Sequence, residues 1–227
     1  MGTLPPGMLL GSAHLLYFGV YLPFRAVRSA LRRGKGPVPE RTRVFQATVI
    51  DLLARGAISL VTARAAGLDV FPARLPEWDG LVWGALTCAV MIAVAIPHWR
   101  GGVIRGERFS YFSMPTLPVE RAWWSVLSFL AGITEELTWR GVQFLLLARL
   151  TGSPAASMAI CALTFGLGHL SQGWRWGLVV VGFALAFHGL TWSTGSLYVA
   201  MAVHVVVDLV GGFYTAHAAS KWGYEPR

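Results

Sequence analysis

Residues 133–142 read Ile-Thr-Glu-Glu-Leu-Thr-Trp-Arg-Gly-Val, which sets two carboxylates and a guanidinium inside an otherwise apolar run. An ionised residue at the centre of a membrane helix costs about 2.5–3.5 kcal/mol, whereas a Leu returns only about 0.5 kcal/mol. A plain membrane anchor would not keep such a cluster. Glu136 and Arg140 are four apart and share a helix face, so they read as an ion pair. Glu135 is rotated about 100° away and is left free to turn toward a bundle interior as a base. The pair alone could serve packing only; the second glutamate argues for chemistry. Two further clusters repeat the four-residue spacing: Phe165 with His169 (F-G-L-G-H) and His204 with Asp208 (H-V-V-V-D). Gly166 and Gly168 leave space for a neighbouring backbone or a substrate to approach. A lone His in an apolar helix is more often a packing residue, but polar clusters on three separate spans face one another or a wet cavity. Two chemistries stay open. A glutamate and an imidazole can polarise water while other donors meet a developing oxyanion. Alternatively, His169, His204 and either Asp208 or Glu135 can hold a catalytic zinc. The lack of an H-E-x-x-H helix favours the first, so no metal or other cofactor is expected. Cys161 lies on the same face as Phe165 and His169 but has no basic neighbour in sequence to activate it. Cys88 and Cys161 form neither a disulfide framework nor a zinc knuckle. A rhomboid-type G-x-S-G is absent, and the G-x-G at Gly166 is followed by His169, not by the Asp of an aspartyl intramembrane protease.

The elements that must position these groups are apolar. Hydrophobic residues make up 55% of the chain and charged residues 13%, with a mean hydropathy of +0.55; soluble domains average about 25% charged. The apolar runs are Met8 to Phe24, Val44 to Ala63, Gly80 to Ile96, Ala122 to Leu150, Ala155 to Leu170, Gly177 to Trp192 and Leu197 to Ala216. They predict an all-α polytopic transmembrane helix bundle of about seven spans. Six or eight are also allowed, because the ends are loosely bounded and the polar stretch from Arg100 to Pro118 has room for a short interfacial helix. Residues 1–227 read as one integral membrane domain with a motif-bearing core at about 120–216. The first run differs from a signal peptide in that its arginines follow it. Summed over alternate loops, Lys and Arg number fourteen on one side and three on the other. The positive-inside rule then places the N-terminus outside and the C-terminus in the cytoplasm, as for a bacterial inner (plasma) membrane protein. Residues 32–39 read as a flexible cytoplasmic loop. The net charge of +8 belongs to these loops and forms no stripe with stacking aromatics, so membrane lipid, not nucleic acid, is the expected partner. Trp78, Trp99, Trp123, Trp124, Trp174, Trp192 and Trp222 fall near span ends and read as an interfacial belt.

The ordered set E-E-x-x-x-R, F-x-x-x-H and H-x-x-x-D, covering Thr134 to Asp208, resembles the CAAX-processing and bacteriocin-processing family of intramembrane proteases, which includes the prenyl-protein endopeptidases. The first three spans carry no matching feature. The resemblance implies that Glu135 and His169 activate water for attack on a scissile carbonyl, that His204 and Asp208 stabilise the oxyanion, and that Phe165 shapes the site. Glu136 and Arg140 would support Glu135. The family often has Asn where this chain has Asp208, and an ionised carboxylate there would repel an oxyanion; Asp208 is therefore protonated, orients His204 or ligates a metal. The implied substrate is a protein or peptide with a membrane-proximal cleavage site, either lipidated or C-terminally sorted.

His188, alone in the sixth run, reads as a packing residue, Asp51 and Arg55 as an ion pair near the membrane surface, and Glu107 and Glu120 as loop charges. His14, His98 and His217 call for no special role. A proton- or ion-coupled transporter would also bury Glu, Asp and His, but the chain shows no repeated polar half. A non-catalytic scaffold or immunity protein is the remaining alternative.

Overall fold

A computed structural model of the chain describes residues 6–32, 38–71 and 75–225. Arg33, Lys35, Arg74, Arg227 and most of the expected loop at 32–39 lie outside the described residues. The rest is helical, with no strand among the described residues. Helix α1 runs Gly7–Leu31, α2 Arg41–Ala65, α3 Trp78–Ile104 and the short α4 Arg108–Phe112. Helix α5 is α-helical over Pro118–Glu136, π-helical over Leu137–Gln143 and α-helical again over Phe144–Thr151. Helices α6 (Pro154–Gly168), α7 (Trp174–Thr194) and α8 (Leu197–Trp222) complete the bundle. Five of them, α1, α2, α3, α7 and α8, are long and apolar enough to cross a membrane. Each expected apolar run coincides with a helix, and α4 occupies the polar stretch where an interfacial helix has room.

Local sequence sets the turns. Gly152, at φ +66°, ends α5, and Ser153 then accepts from the Ala156 N–H at 3.3 Å while Pro154 opens α6. Gly195, at φ +63°, and Ser196, which accepts from the Tyr198 N–H, make the equivalent turn between α7 and α8. Glycine takes the left-handed conformation without a Cβ penalty, and the serine satisfies an orphan N–H of the new helix. These two turns make α5 and α6, and α7 and α8, antiparallel neighbours.

Helix α8 packs along α3 and α5, and α5 packs along α2, so α5 and α8 lie at the centre. Close approach is built in at Gly132, where a Cβ would come within 2.5 Å of Val205 Cγ2 and 3.0 Å of the Met201 carbonyl on α8. Gly166 does the same between α6 and α7, where a Cβ would lie 2.9 Å from the Gly177 carbonyl; Gly168 has open space beside it. The expected neighbour-backbone role therefore falls to Gly166. A polar thread crosses the apolar interior. His14 Nε2 of α1 lies 3.3 Å from Ser59 Oγ of α2, which lies 2.8 Å from Thr138 Oγ1 in the π segment of α5. His14 is 1% exposed and packs on Phe18, so it is an interior group and not a residue at a span end.

Glu120 corrects another expectation. It is not a loop charge but the third residue of α5, 4% exposed, accepting from the N–H groups of Thr116 (2.8 Å) and Leu117 (3.0 Å) and from Arg41 Nε (2.9 Å). Burial alone would raise its carboxyl; the two backbone donors and the Arg41 guanidinium outweigh that and hold it below the ordinary carboxylate range. Asp51 and Arg55 pair as expected. A folded-state value held low stabilises the fold above the unfolded value and ceases to do so as pH falls through the folded one. The difference in melting temperature between wild type and Glu120→Gln is therefore expected to be largest near neutrality and to shrink below about pH 4.5. A difference constant from pH 7 to pH 3 would refute this account.

Candidate active site

Glu135 and Glu136 are the last two residues of the first α-helical part of α5, directly before its π segment. Wide π turns inside α-helices recur at functional sites because they re-aim side chains. Glu136 is fully buried and its Oε1 accepts twice, from Arg140 Nη1 at 3.1 Å and from His204 Nδ1 at 2.8 Å. An ionised carboxylate only accepts, so His204 carries its proton on Nδ1 and turns Nε2 to the other side. There Nε2 stands 3.8 Å from Glu135 Oε2 and 3.7 Å from Asp208 Oδ2. Three carboxylates thus surround one imidazole. The ring is held flat against Phe187, with centroids 5.1 Å apart and planes 17° apart.

The Arg140 guanidinium packs against two aromatic rings, 4.4 Å from the Phe165 centroid and 5.1 Å from that of Phe187. Phe165 also packs edge-on against Trp139 and beside the His169 ring, 4.6 Å away. His169 is the C-cap of α6, and its Nδ1 lies 2.8 Å from the Phe165 carbonyl. A carbonyl only accepts, so Nδ1 carries the proton there too, and the neutral ring keeps its Nε2 lone pair. A cleft of about 310 Å³ brings Glu135, Phe165, His169, His204 and Asp208 together. Of the predicted site residues, then, these five line one cavity, while Glu136 and Arg140 sit behind it. Phe45, Phe112 and Trp124, each within a few residues of the arginine-rich loops, also line it.

Trp124 and Trp99 are not simple interfacial anchors. Trp124 Nε1 donates to the Asp208 carbonyl at 3.1 Å and lies where a Cβ on Gly212 would be; Trp99 lines the same cleft and packs on Gly211. Trp78, Trp174 and Trp192 are exposed and lie outside the cleft. His188 is outside the cleft, beside Phe144. The Glu136–His204 bond was missed because spacing within one helix carries no signal for a partner sixty-eight residues away. Among the described residues no group of three or more His, Cys, Asp or Glu side chains is placed to hold a metal ion.

Residues 118–210 match the family model described as type II CAAX prenyl endopeptidase Rce1-like. No curated protein and no solved structure matches the chain.

Removing one partner of a buried charge pair typically costs about 3–5 kcal/mol, because the other charge is left uncompensated. Arg140→Met is therefore expected to lower unfolding stability by an amount in that range. Glu136→Gln with Arg140→Met should recover a large part of the loss, as measured by thermal or denaturant melts in detergent. Two substitutions whose effects simply add would argue against the pair.

Proposed function

We propose, from the match of residues 118–210 to the Rce1-like family model of type II CAAX prenyl endopeptidases, that this chain is an integral membrane endopeptidase cleaving near the C-terminus of lipidated or membrane-anchored proteins. The observation that carries this reading is the convergence of Glu135, His169, His204 and Asp208 on one cleft, beneath the helix ends that border the arginine-rich loops.

In the mechanism we propose, a water held between Glu135 and His169 Nε2 attacks the scissile carbonyl. Glu135 takes the water proton as the C–O bond forms and passes it to the amide nitrogen as the C–N bond breaks. His204 is doubly protonated, balanced by Glu136 and Asp208, and donates from Nε2 to the oxyanion. Asp208 then orients and neutralises His204 and does not contact the oxyanion, which removes the conflict raised by a carboxylate at this position. Phe165 shapes the cleft and packs on Arg140. No metal is required for any of these steps. The charge asymmetry of the loops supports an N-terminus outside, a cytoplasmic C-terminus and a cleft reached from the cytoplasmic side of a bacterial plasma membrane. Partners are membrane lipid and the peptide substrate.

General acid–base groups contribute roughly 10²- to 10⁴-fold. With purified protein and a panel of membrane-anchored peptides, Glu135→Ala and His169→Ala are each expected to lower cleavage by about that factor, and a chelator to leave wild type unchanged. Cleavage that survives Glu135→Ala would sink the mechanism; loss on chelation alone would restore the zinc reading.

A further inference from the structure

Beside the cleft lies a second cavity, of about 920 Å³, at the end of the bundle where α1, α3 and α6 finish and α7 begins. Phe109, Phe112, Gln172 and Trp176 line both spaces. Four arginines line the second one, and each comes from a different segment. Arg32 follows α1, Arg105 follows α3, Arg108 opens α4 and Arg175 stands in the first turn of α7. Among the described residues of this lining the one carboxylate is Glu107, whose Oε1 already accepts from Arg105 Nε at 2.8 Å. Four guanidinium groups against one carboxylate leave the cavity with a formal charge of +3.

These charges are accessible: Arg32, Arg105 and Arg175 are exposed and Arg108 is half-buried. The positive-inside rule accounts for arginines in loops on one side of a membrane, but it does not gather four of them, from four segments, around one hollow. Each guanidinium offers a planar fork that matches two oxygens of a phosphate, a geometry that lysine lacks. Basic pockets between membrane helices on the cytoplasmic side suit anionic headgroups. The rim also meets apolar surface. Leu31, next to Arg32, is 83% exposed, and Trp174, whose ring lies under the Arg175 guanidinium at 5.3 Å, is 63% exposed, with exposed Leu178 one turn further along α7. A peptide carboxylate would use one positive charge and none of this apolar rim; a phospholipid uses both.

We propose that this cavity is a binding site for the headgroup of an anionic phospholipid. The phosphate lies among Arg32, Arg105 and Arg175, and the acyl chains follow the exposed apolar surface at the end of α1 and the start of α7. The site does not depend on the proteolytic reading. Because four residues line both cavities, a bound headgroup borders the cleft.

The test is a titration of the full chain, purified in a neutral detergent, with phosphatidylglycerol, phosphatidylcholine or sn-glycerol 3-phosphate at constant ionic strength, read as the shift in melting temperature. A saturable rise is expected with phosphatidylglycerol and none with phosphatidylcholine. Arg32→Gln combined with Arg175→Gln is expected to weaken the Kd for phosphatidylglycerol by about tenfold or more, as the loss of two charges near an anionic headgroup allows. Arg43→Gln combined with Arg121→Gln removes the same charge from exposed positions outside the cavity and should leave that Kd unchanged. Equal responses to the two lipids, or equal weakening in the two double variants, would overturn the site. A Kd for sn-glycerol 3-phosphate as tight as that for the lipid would overturn the assignment to lipid. If the Arg32 and Arg175 variant kept its lipid response and lost only cleavage of peptides with a free, not an amidated, C-terminus, the cavity would belong to the peptide and the proposal would fall.

Discussion

A carboxylate with no exposed surface, Glu136, is the point on which the rest of this bundle depends. An isolated charge in such surroundings is prohibitively costly, and it is kept only because a guanidinium and an imidazole both donate to the same oxygen. The two donors come from different places, Arg140 one turn along α5 and His204 from α8. Satisfying Glu136 therefore fixes the rotation of α5, the register of α8 against it and the direction in which His204 Nε2 points. Phe165 and Phe187 extend the constraint to α6 and α7, since each covers Arg140. One ionic contact thus links four helices and orients the face of His204 that meets Glu135 and Asp208.

Close helix approach serves the same end. Were Gly132 to carry a side chain, α8 would have to move away from α5 by the width of that group, and a 2.8 Å bond between Glu136 and His204 would not survive the shift. Gly166 holds α7 against α6 in the same way, which brings Phe165 and Phe187 both against the guanidinium. Small residues at crossings, more than apolar bulk, decide the geometry of bundles whose helices gain little from leaving lipid.

Much of this was legible in the sequence. Apolar runs long enough to span a bilayer located the helices, and the four-residue spacing found the Glu136–Arg140 pair and set Phe165 beside His169. What stayed hidden was whatever depends on a distant partner. The Glu136–His204 bond, the His14–Ser59–Thr138 thread and the turn of Trp124 toward Asp208 all join helices far apart in sequence. The π turn at Leu137–Gln143 left no mark either, because the hydrophobic pattern there is interrupted by the very charges that need it. Glu120 looked like a loop residue because Pro118 hides the helix start, although a glutamate two residues after a proline is the pattern of an N-terminal cap.

The shortness of α6 has a bearing on the membrane itself. Fifteen residues at about 1.5 Å per residue reach roughly 22 Å, against a hydrocarbon layer of about 30 Å. The chain leaves the α-helix at His169, passes through the single 3₁₀ turn Leu170–Gln172, and reverses at Gly173, whose φ is +121°. Irregular backbone is tolerated at such depth only against protein or water. His169 thus stands at the end of a helix too short to cross the hydrocarbon layer along its own length. Hydrophobic mismatch at α6 would fall directly on this imidazole, so the thickness of the host bilayer becomes one of the parameters that set how deeply water reaches it.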